Sequence, residues 1–251
     1  MKKVIYVLIK LLLIGTMLVS SFFLLKNICE NKKQEKILKE LQCIAQNQEE
    51  FCKNSQKESD VDIKELYKIN NDLIGWLKIE NTGLNYPVMQ SSEKNYYLRK
   101  DFYKNYSKWG TPFLAENCEI NISDNIIIYG HNLNNQKMFG LLEKYKKQDF
   151  WNRNKIITFF TLTENKEDMI KSEYLIFAVI KTTVYDVNSF EFYHYTEFSS
   201  EEEFENYIKK VKELSIYETG ITPKYQDNII TLSTCEYSQK DGRLVVLAVK
   251  I

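Results

Sequence analysis

Asn228-Ile229-Ile230-Thr231-Leu232-Ser233-Thr234-Cys235, followed by Asp241-Gly242-Arg243-Leu244-Val245-Val246-Leu247-Ala248-Val249, is the stretch on which the fold turns. Its first run alternates and is rich in β-branched residues, so it reads as a strand that delivers Cys235 at its end. Asp241-Gly242 marks a turn, and Arg243 opens a second strand. Two antiparallel strands joined this way bring the last residue of one and the first of the next to the same end of the sheet. A thiol and a permanent cation are therefore expected to face one pocket.

A free thiol with a pKa of about 8.5 is only a few per cent thiolate at neutral pH, so a working nucleophile needs a base or a positive charge beside it. The chain has two histidines to offer. His131 follows the strand-like run Asn125-Ile126-Ile127-Ile128-Tyr129-Gly130, which sets an imidazole at a strand end, with Gly130 letting the backbone bend and expose the ring. His194 lies in the aromatic-polar alternation Glu191-Phe192-Tyr193-His194-Tyr195-Thr196, which reads as a strand or its edge. His131 is the preferred acid and base. Ser233 and Thr234, just before the cysteine, are candidate substrate contacts, although strand propensity explains them equally well.

Outward from this hairpin, short apolar runs recur between turn signals: Tyr86–Met89, Thr111–Leu114, Asn125–Tyr129, Lys155–Thr161 and Tyr174–Lys181. Many short strands at this spacing predict a mainly β fold, an antiparallel closed barrel rather than a doubly wound sheet. Peripheral helices are expected over Val61–Ile69 and after Ser200. There Ser200 and Glu203 form a capping-box pattern, and Phe204, Ile208, Val211 and Leu214 make an apolar stripe at helical spacing. Glu201-Glu202-Glu203 fits the helix dipole and needs no calcium. Tyr96, Tyr97, Trp109 and Trp151 read as core or groove-wall residues.

The N-terminus adds a second kind of signal. Val4–Leu25 is 22 mostly apolar residues, interrupted by Lys10 and flanked by Lys2-Lys3 and Lys26. That length spans a bilayer, and with no A-x-A cleavage pattern a retained transmembrane helix is expected over residues 1–26. Residues 27–60 read as a helical stalk and linker, with Ile37, Leu38, Leu41 and Ile44 as an amphipathic stripe and a loose joint at Ser55–Asp60. Residues 61–251 read as the catalytic domain.

Equal numbers of basic and acidic residues, 34 each, exclude the basic face that a nucleic-acid partner demands. Lys144-Tyr145-Lys146-Lys147 is expected to be a solvated helix face. The five cysteines are Cys29, Cys43, Cys52, Cys118 and Cys235, and an odd count leaves at least one thiol free. No Cys or His pair has metal-ligand spacing, and neither a metal nor a cofactor is expected.

Thr231-Leu232-Ser233-Thr234-Cys235, the downstream Arg243 and the upstream Tyr129-Gly130-His131 together resemble the Cys-His-Arg site of sortases, the cysteine transpeptidases that attach proteins to the Gram-positive cell wall. Asn85-Tyr86-Pro87-Val88-Met89-Gln90 and Asn95-Tyr96-Tyr97-Leu98 look like the early strand region of class B sortases, and the likeness runs from about Leu66 to Ile251. Ala115-Glu116 stands where an aspartate is expected in that class. The resemblance implies a sortase-type β-barrel with a long helix before the cysteine strand, and Cys235, His131 and Arg243 as catalytic residues. It also implies a partner protein bearing a sorting signal (an Asn-Pro-x-Thr-Asn-like or Pro-x-Thr-Gly-like peptide), a peptidoglycan-precursor amine as acceptor, and a domain outside the cell on a cytoplasmic N-terminus.

Three other readings stand beside it. A class C-like pilin polymerase would add a C-terminal membrane segment and an N-terminal lid, whereas here the chain ends at Ile251 after the last strand. A membrane-anchored cysteine hydrolase would not need the arginine. A non-catalytic surface interaction module would tolerate loss of the thiol.

Overall fold

A short apolar strand cannot bury its face alone, and here eight of them close on one another. They are β1 (Leu73–Lys78), β2 (Asn85–Met89), β3 (Phe113–Leu114), β4 (Asn125–Tyr129), β5 (Ile156–Leu162), β6 (Met169–Thr183), β7 (Ile229–Glu236) and β8 (Gly242–Lys250). Their order around the closed barrel is β1-β2-β3-β4-β7-β8-β6-β5. The computed structural model describes residues 2–46, 61–184 and 189–251. Cys52 and the joint expected at Ser55–Asp60 lie outside the described residues.

The barrel is mixed rather than purely antiparallel. β2 runs parallel to β3 and β4 parallel to β7, while the other neighbouring pairs are antiparallel. The β4–β7 pairing cannot be read locally, because about a hundred residues separate the two strands. Its consequence is large. Parallel neighbours present their C-terminal ends at the same rim, so the segments after Tyr129 and after Thr234 meet there.

β7 and β8 are buried almost throughout. Their inner face fills the barrel; the 3-10 segment Phe139–Lys146 packs on both strands, and the helix α4 (Glu201–Leu214) packs on the neighbouring β6. Ser200 caps α4 by accepting from the Glu203 backbone N–H, as its sequence predicts. The Glu203 carboxylate accepts from the N–H and hydroxyl of Ser199 rather than from Ser200. Tyr207 of α4 sits among Phe190, Tyr195 and Phe198, with ring centroids 4.9 to 5.7 Å away. Its phenol meets Asn125 of β4, which accepts in turn from Thr231 of β7. Burying polar side chains of β4 and β7 costs little once they satisfy one another in this way.

Helix α1 (Lys2–Ala45) is continuous. The chain divides into two units, Met1–Glu40 and Leu41–Ile251. In the first, α1 is long and apolar enough to cross a membrane, and its large apolar side chains from Val4 to Leu25 are exposed. Twenty-two residues rise about 33 Å, close to a hydrocarbon core of about 30 Å. In the second, the last turn of α1 packs on the barrel. Leu41 and Ala45 are buried, and Gln42 donates to the Asn85 carbonyl at 2.9 Å. The short helix α2 (Lys64–Ile69) buries Leu66, and α3 (Gln148–Arg153) buries Trp151.

Three local expectations are corrected. Phe192–His194 is a 3-10 turn, not a strand edge. Tyr96–Arg99 is a 3-10 turn as well, not part of a strand. Lys144–Lys147 is solvated only in part: Lys144 and Lys147 are exposed, but the 3-10 segment Phe139–Lys146 buries Tyr145 fully and ion-pairs Lys146 within the fold.

Candidate active site

The β7–β8 hairpin sets the first two site residues. Cys235 and Arg243 are direct cross-strand partners, so their side chains leave the same face of the sheet one strand spacing apart. Asp241, at φ 52, turns the chain back between them. Cys235 is partly exposed and is among the free cysteines. Cys118, also free, is buried against β4 with its thiol pushed up to about 11, chiefly by burial, and is inert by comparison. Arg243 donates from Nη1 to the carbonyls of Asp241 and Gly242, at 3.3 and 2.9 Å, and has no carboxylate partner among the described residues. A guanidinium with no described carboxylate to neutralise it, on the strand position opposite a thiol, can stabilise an anion forming there.

The parallel β4–β7 seam brings the histidine. Tyr129 registers with Ser233. Beyond it, Gly130 N–H donates to the Ser233 carbonyl at 3.1 Å, the Thr234 hydroxyl donates to the Gly130 carbonyl at 2.6 Å, and Asn132 Nδ2 donates to the Cys235 carbonyl at 2.8 Å. His131 is thus bracketed by residues tied to the strand end that carries the thiol. Gly130 serves by space rather than by turning: a Cβ there would run into the Phe139 ring, and its φ is not in the left-handed region. Phe139 also holds the histidine from the other side, its N–H donating to the His131 carbonyl at 2.9 Å.

The imidazole has a fixed partner. His131 Nε2 lies 2.8 Å from the Leu98 carbonyl, which can only accept, so the neutral ring carries its proton on Nε2 and leaves Nδ1 for proton exchange. Burial pushes the His131 pKa down, the Leu98 carbonyl works against this, and Arg99 adds to it; the net shift is downward. A neutral ring ready to accept a proton follows at neutral pH. Leu98 is itself held in place. The Tyr97 phenol donates to Asp72 at 2.6 Å and accepts from Asn70 at 3.1 Å, and the Tyr97 carbonyl accepts from Thr111.

Ser233 and Thr234 part company. Alternation puts Ser233 on the Cys235 face, 1% exposed, with a hydroxyl that has no hydrogen-bond partner among the described residues. Thr234 spends its hydroxyl on Gly130. His194 stands apart, exposed, with Nε2 3.8 Å from Glu191.

Behind the thiol lies a charged cluster that the sequence did not announce. Glu236, 3% exposed, accepts from Lys146 and from Ser238, both at 2.6 Å, and Lys146 also pairs with Glu143 at 2.6 Å. Burial raises the Glu236 pKa, but the Lys146 and Ser238 bonds outweigh it and bring it down to about 2. Adjacency was the only available signal, since Asn132 follows His131 and Glu236 follows Cys235. Among the described residues no group of three or more His, Cys, Asp or Glu is placed to hold a metal ion.

The closed barrel brings the segments that carry a thiol, an imidazole and a guanidinium to one rim, and residues 77–251 match the sortase domain: the chain belongs to the sortase family of cysteine transpeptidases. It is similar to sortase B of Staphylococcus aureus, 31% identical over 247 residues that cover 96% of this chain and 94% of that protein. Sortase B from Bacillus anthracis has a similar structure, with a TM-score of 0.71 at 28% identity, covering 89% of this chain and 99% of that one. The substrate complex of S. aureus sortase B aligns with a TM-score of 0.67 at 30% identity, over 90% of this chain and 96% of that one.

Proposed function

We propose that this chain is a membrane-anchored transpeptidase of class B type in which Cys235, His131 and Arg243 carry the reaction. Cys235 passes its proton to His131 as sulfur attacks the carbonyl carbon of a threonine in a C-terminal sorting peptide. A C–S bond forms, the carbonyl electrons move onto oxygen, and Arg243 meets that oxyanion with charge-assisted hydrogen bonds. The intermediate collapses with cleavage of the C–N bond, and the proton held by His131 goes to the leaving amine. An incoming peptidoglycan-precursor amine then attacks the thioester, loses a proton to His131, and releases sulfur. Ser233, whose hydroxyl has no partner among the described residues and lies one step inside Cys235, is the substrate contact of the pair; Thr234 holds the His131 segment.

The single observation behind this reading is the Cys235–Arg243 register with the arginine free of any carboxylate among the described residues. A hydrolase of the ordinary thiol type has no use for that cation. The similarity to a substrate complex of S. aureus sortase B supports peptide binding at this rim. The exposed apolar helix from Val4 to Leu25 supports a membrane span; the N-terminus in the cytoplasm and the barrel outside follow from the likeness to sortases, which act at the cell surface.

The test is cleavage of quenched fluorescent peptides of the Asn-Pro-x-Thr-Asn and Pro-x-Thr-Gly types by the full chain in detergent, with and without an added amine. Cleavage after threonine, an amide product with amine, and loss of both in Cys235→Ala and Arg243→Ala are expected. Cleavage that survives Arg243→Ala without an amide product points to a hydrolase, and an intact peptide in every case points to an interaction module.

A further inference from the structure

The thiol and the imidazole sit on strands distant in sequence, and their registry depends on what ties the two chain segments beyond the strand ends. One side chain makes the outermost tie. Asn132, 9% exposed, donates from Nδ2 both to the Cys235 carbonyl at 2.8 Å and to Glu143 Oε1 at 3.1 Å. Both neighbours are acceptors, so the amide orientation is forced: its NH₂ must face them. The Asn132 carbonyl accepts from the Tyr237 phenol at 3.2 Å, which makes a second tie from the same residue to the segment after the cysteine. Asn132 also pairs with Met138 across the loop that His131 opens, and Met138 is held at φ 50 with its N–H donating to Tyr86. Glu143 is anchored in turn by Lys146, which grips Glu236, the residue after Cys235.

We infer that Asn132 is a positioning residue for the reaction, holding the backbone of Cys235 in register with the His131 segment through a side-chain amide fixed by the Glu143–Lys146–Glu236 cluster. This rests on the reading of Cys235 and His131 as reacting partners. Asn132 touches no substrate. Without it, the Cys235 carbonyl loses its donor and the end of β7 is free to move against the His131 loop. A displacement of about 1 Å between reacting groups costs on the order of a hundredfold in rate.

Two variants of the full chain in detergent test this. Asn132→Ala removes the donor and leaves Glu143 paired with Lys146. Asn132→Asp keeps the shape, has no donor when ionised, and regains one when its carboxyl is protonated. Two readouts are taken: kcat and KM on a cleaved sorting peptide, and the rate of iodoacetamide modification at Cys235, resolved by mass spectrometry from modification at Cys29. For both variants kcat is expected to fall by about ten- to a hundredfold with KM changed less than about threefold. Cys235 modification should slow at neutral pH. The ratio of Asn132→Asp to wild type should climb as pH falls through the carboxylate range, which a merely structural role does not produce. A kcat within twofold of wild type in either folded variant, or modification profiles that superimpose on wild type at every pH, overturns the inference. If the wild type cleaves no peptide, the transpeptidase reading has failed, and the modification profiles still decide the role of Asn132.

Discussion

At the residue scale, the cross-strand pair Cys235 and Arg243 was legible because a hairpin has one simple geometry. The histidine was legible as a choice between two, although the reason given for Gly130 was incomplete: the glycine makes room for Phe139. Gly130→Ala should therefore destabilise by about 1–3 kcal/mol through overpacking, measured as a fall in the denaturant midpoint without a change in slope. Arg243→Ala should lower kcat/KM by about a hundred- to a thousandfold, and Arg243→Lys should recover part of that, since the charge returns without the planar fork. Steady-state cleavage of a sorting peptide checks both; equal activity of the alanine variant and wild type contradicts the oxyanion role. What could not be read were partners supplied from afar. Nothing in the sequence near His131 says that the Leu98 carbonyl will hold its Nε2, and nothing near Cys235 says that Glu143 will steady Asn132.

At the element scale, β7, β8 and α4 follow from β-branched runs, a turn and a cap. Removing the cap in Ser200→Ala should cost about 1 kcal/mol, seen as a lower melting temperature with activity retained. The elements misjudged were the 3-10 turns Tyr96–Arg99 and Phe192–His194. Aromatic residues favour strands on propensity, and here tertiary contacts override it: Tyr97 is bound by Asp72 and Asn70, and Phe192 is buried. The 3-10 segment Phe139–Lys146 was misjudged in part for a related reason: Lys144 is exposed as expected, but Lys146 finds a buried partner in Glu236. That ion pair has a pH signature. The Glu236 pKa is depressed from 4.5 to about 2, so its stabilisation is complete above pH 4.5 and is lost as pH falls toward 2. The loss amounts to about 3 kcal/mol. Thermal melts across this window should show the decline, and Glu236→Gln should flatten it. Lys146→Met leaves the carboxylate with Ser238 and, as its cationic partner among the described residues, Lys181 3.6 Å away, and should cost about 3 kcal/mol at neutral pH.

At the scale of the whole molecule, the closed barrel could be expected from the number and spacing of short strands, but its two parallel seams could not. Strand runs announce themselves locally, whereas pairing β4 with β7 depends on contacts a hundred residues apart in sequence. That seam is what brings histidine and cysteine to one rim. The N-terminal helix was legible from length and apolarity alone. With the barrel outside, protease added to intact cells should digest the segment from Leu41 onward and spare the N-terminus; protection of the barrel contradicts the orientation proposed.

The central claim is that Cys235 holds the acyl group between cleavage and transfer. The most direct measurement is the intact mass of the full chain in detergent after rapid acid quench with a cleaved sorting peptide. A mass increase equal to the N-terminal peptide fragment, located on Cys235, absent in Cys235→Ala and discharged to an amide by added amine, is the predicted result. Turnover of the peptide with no adduct on Cys235, or an adduct on another residue that survives Cys235→Ala, contradicts the account.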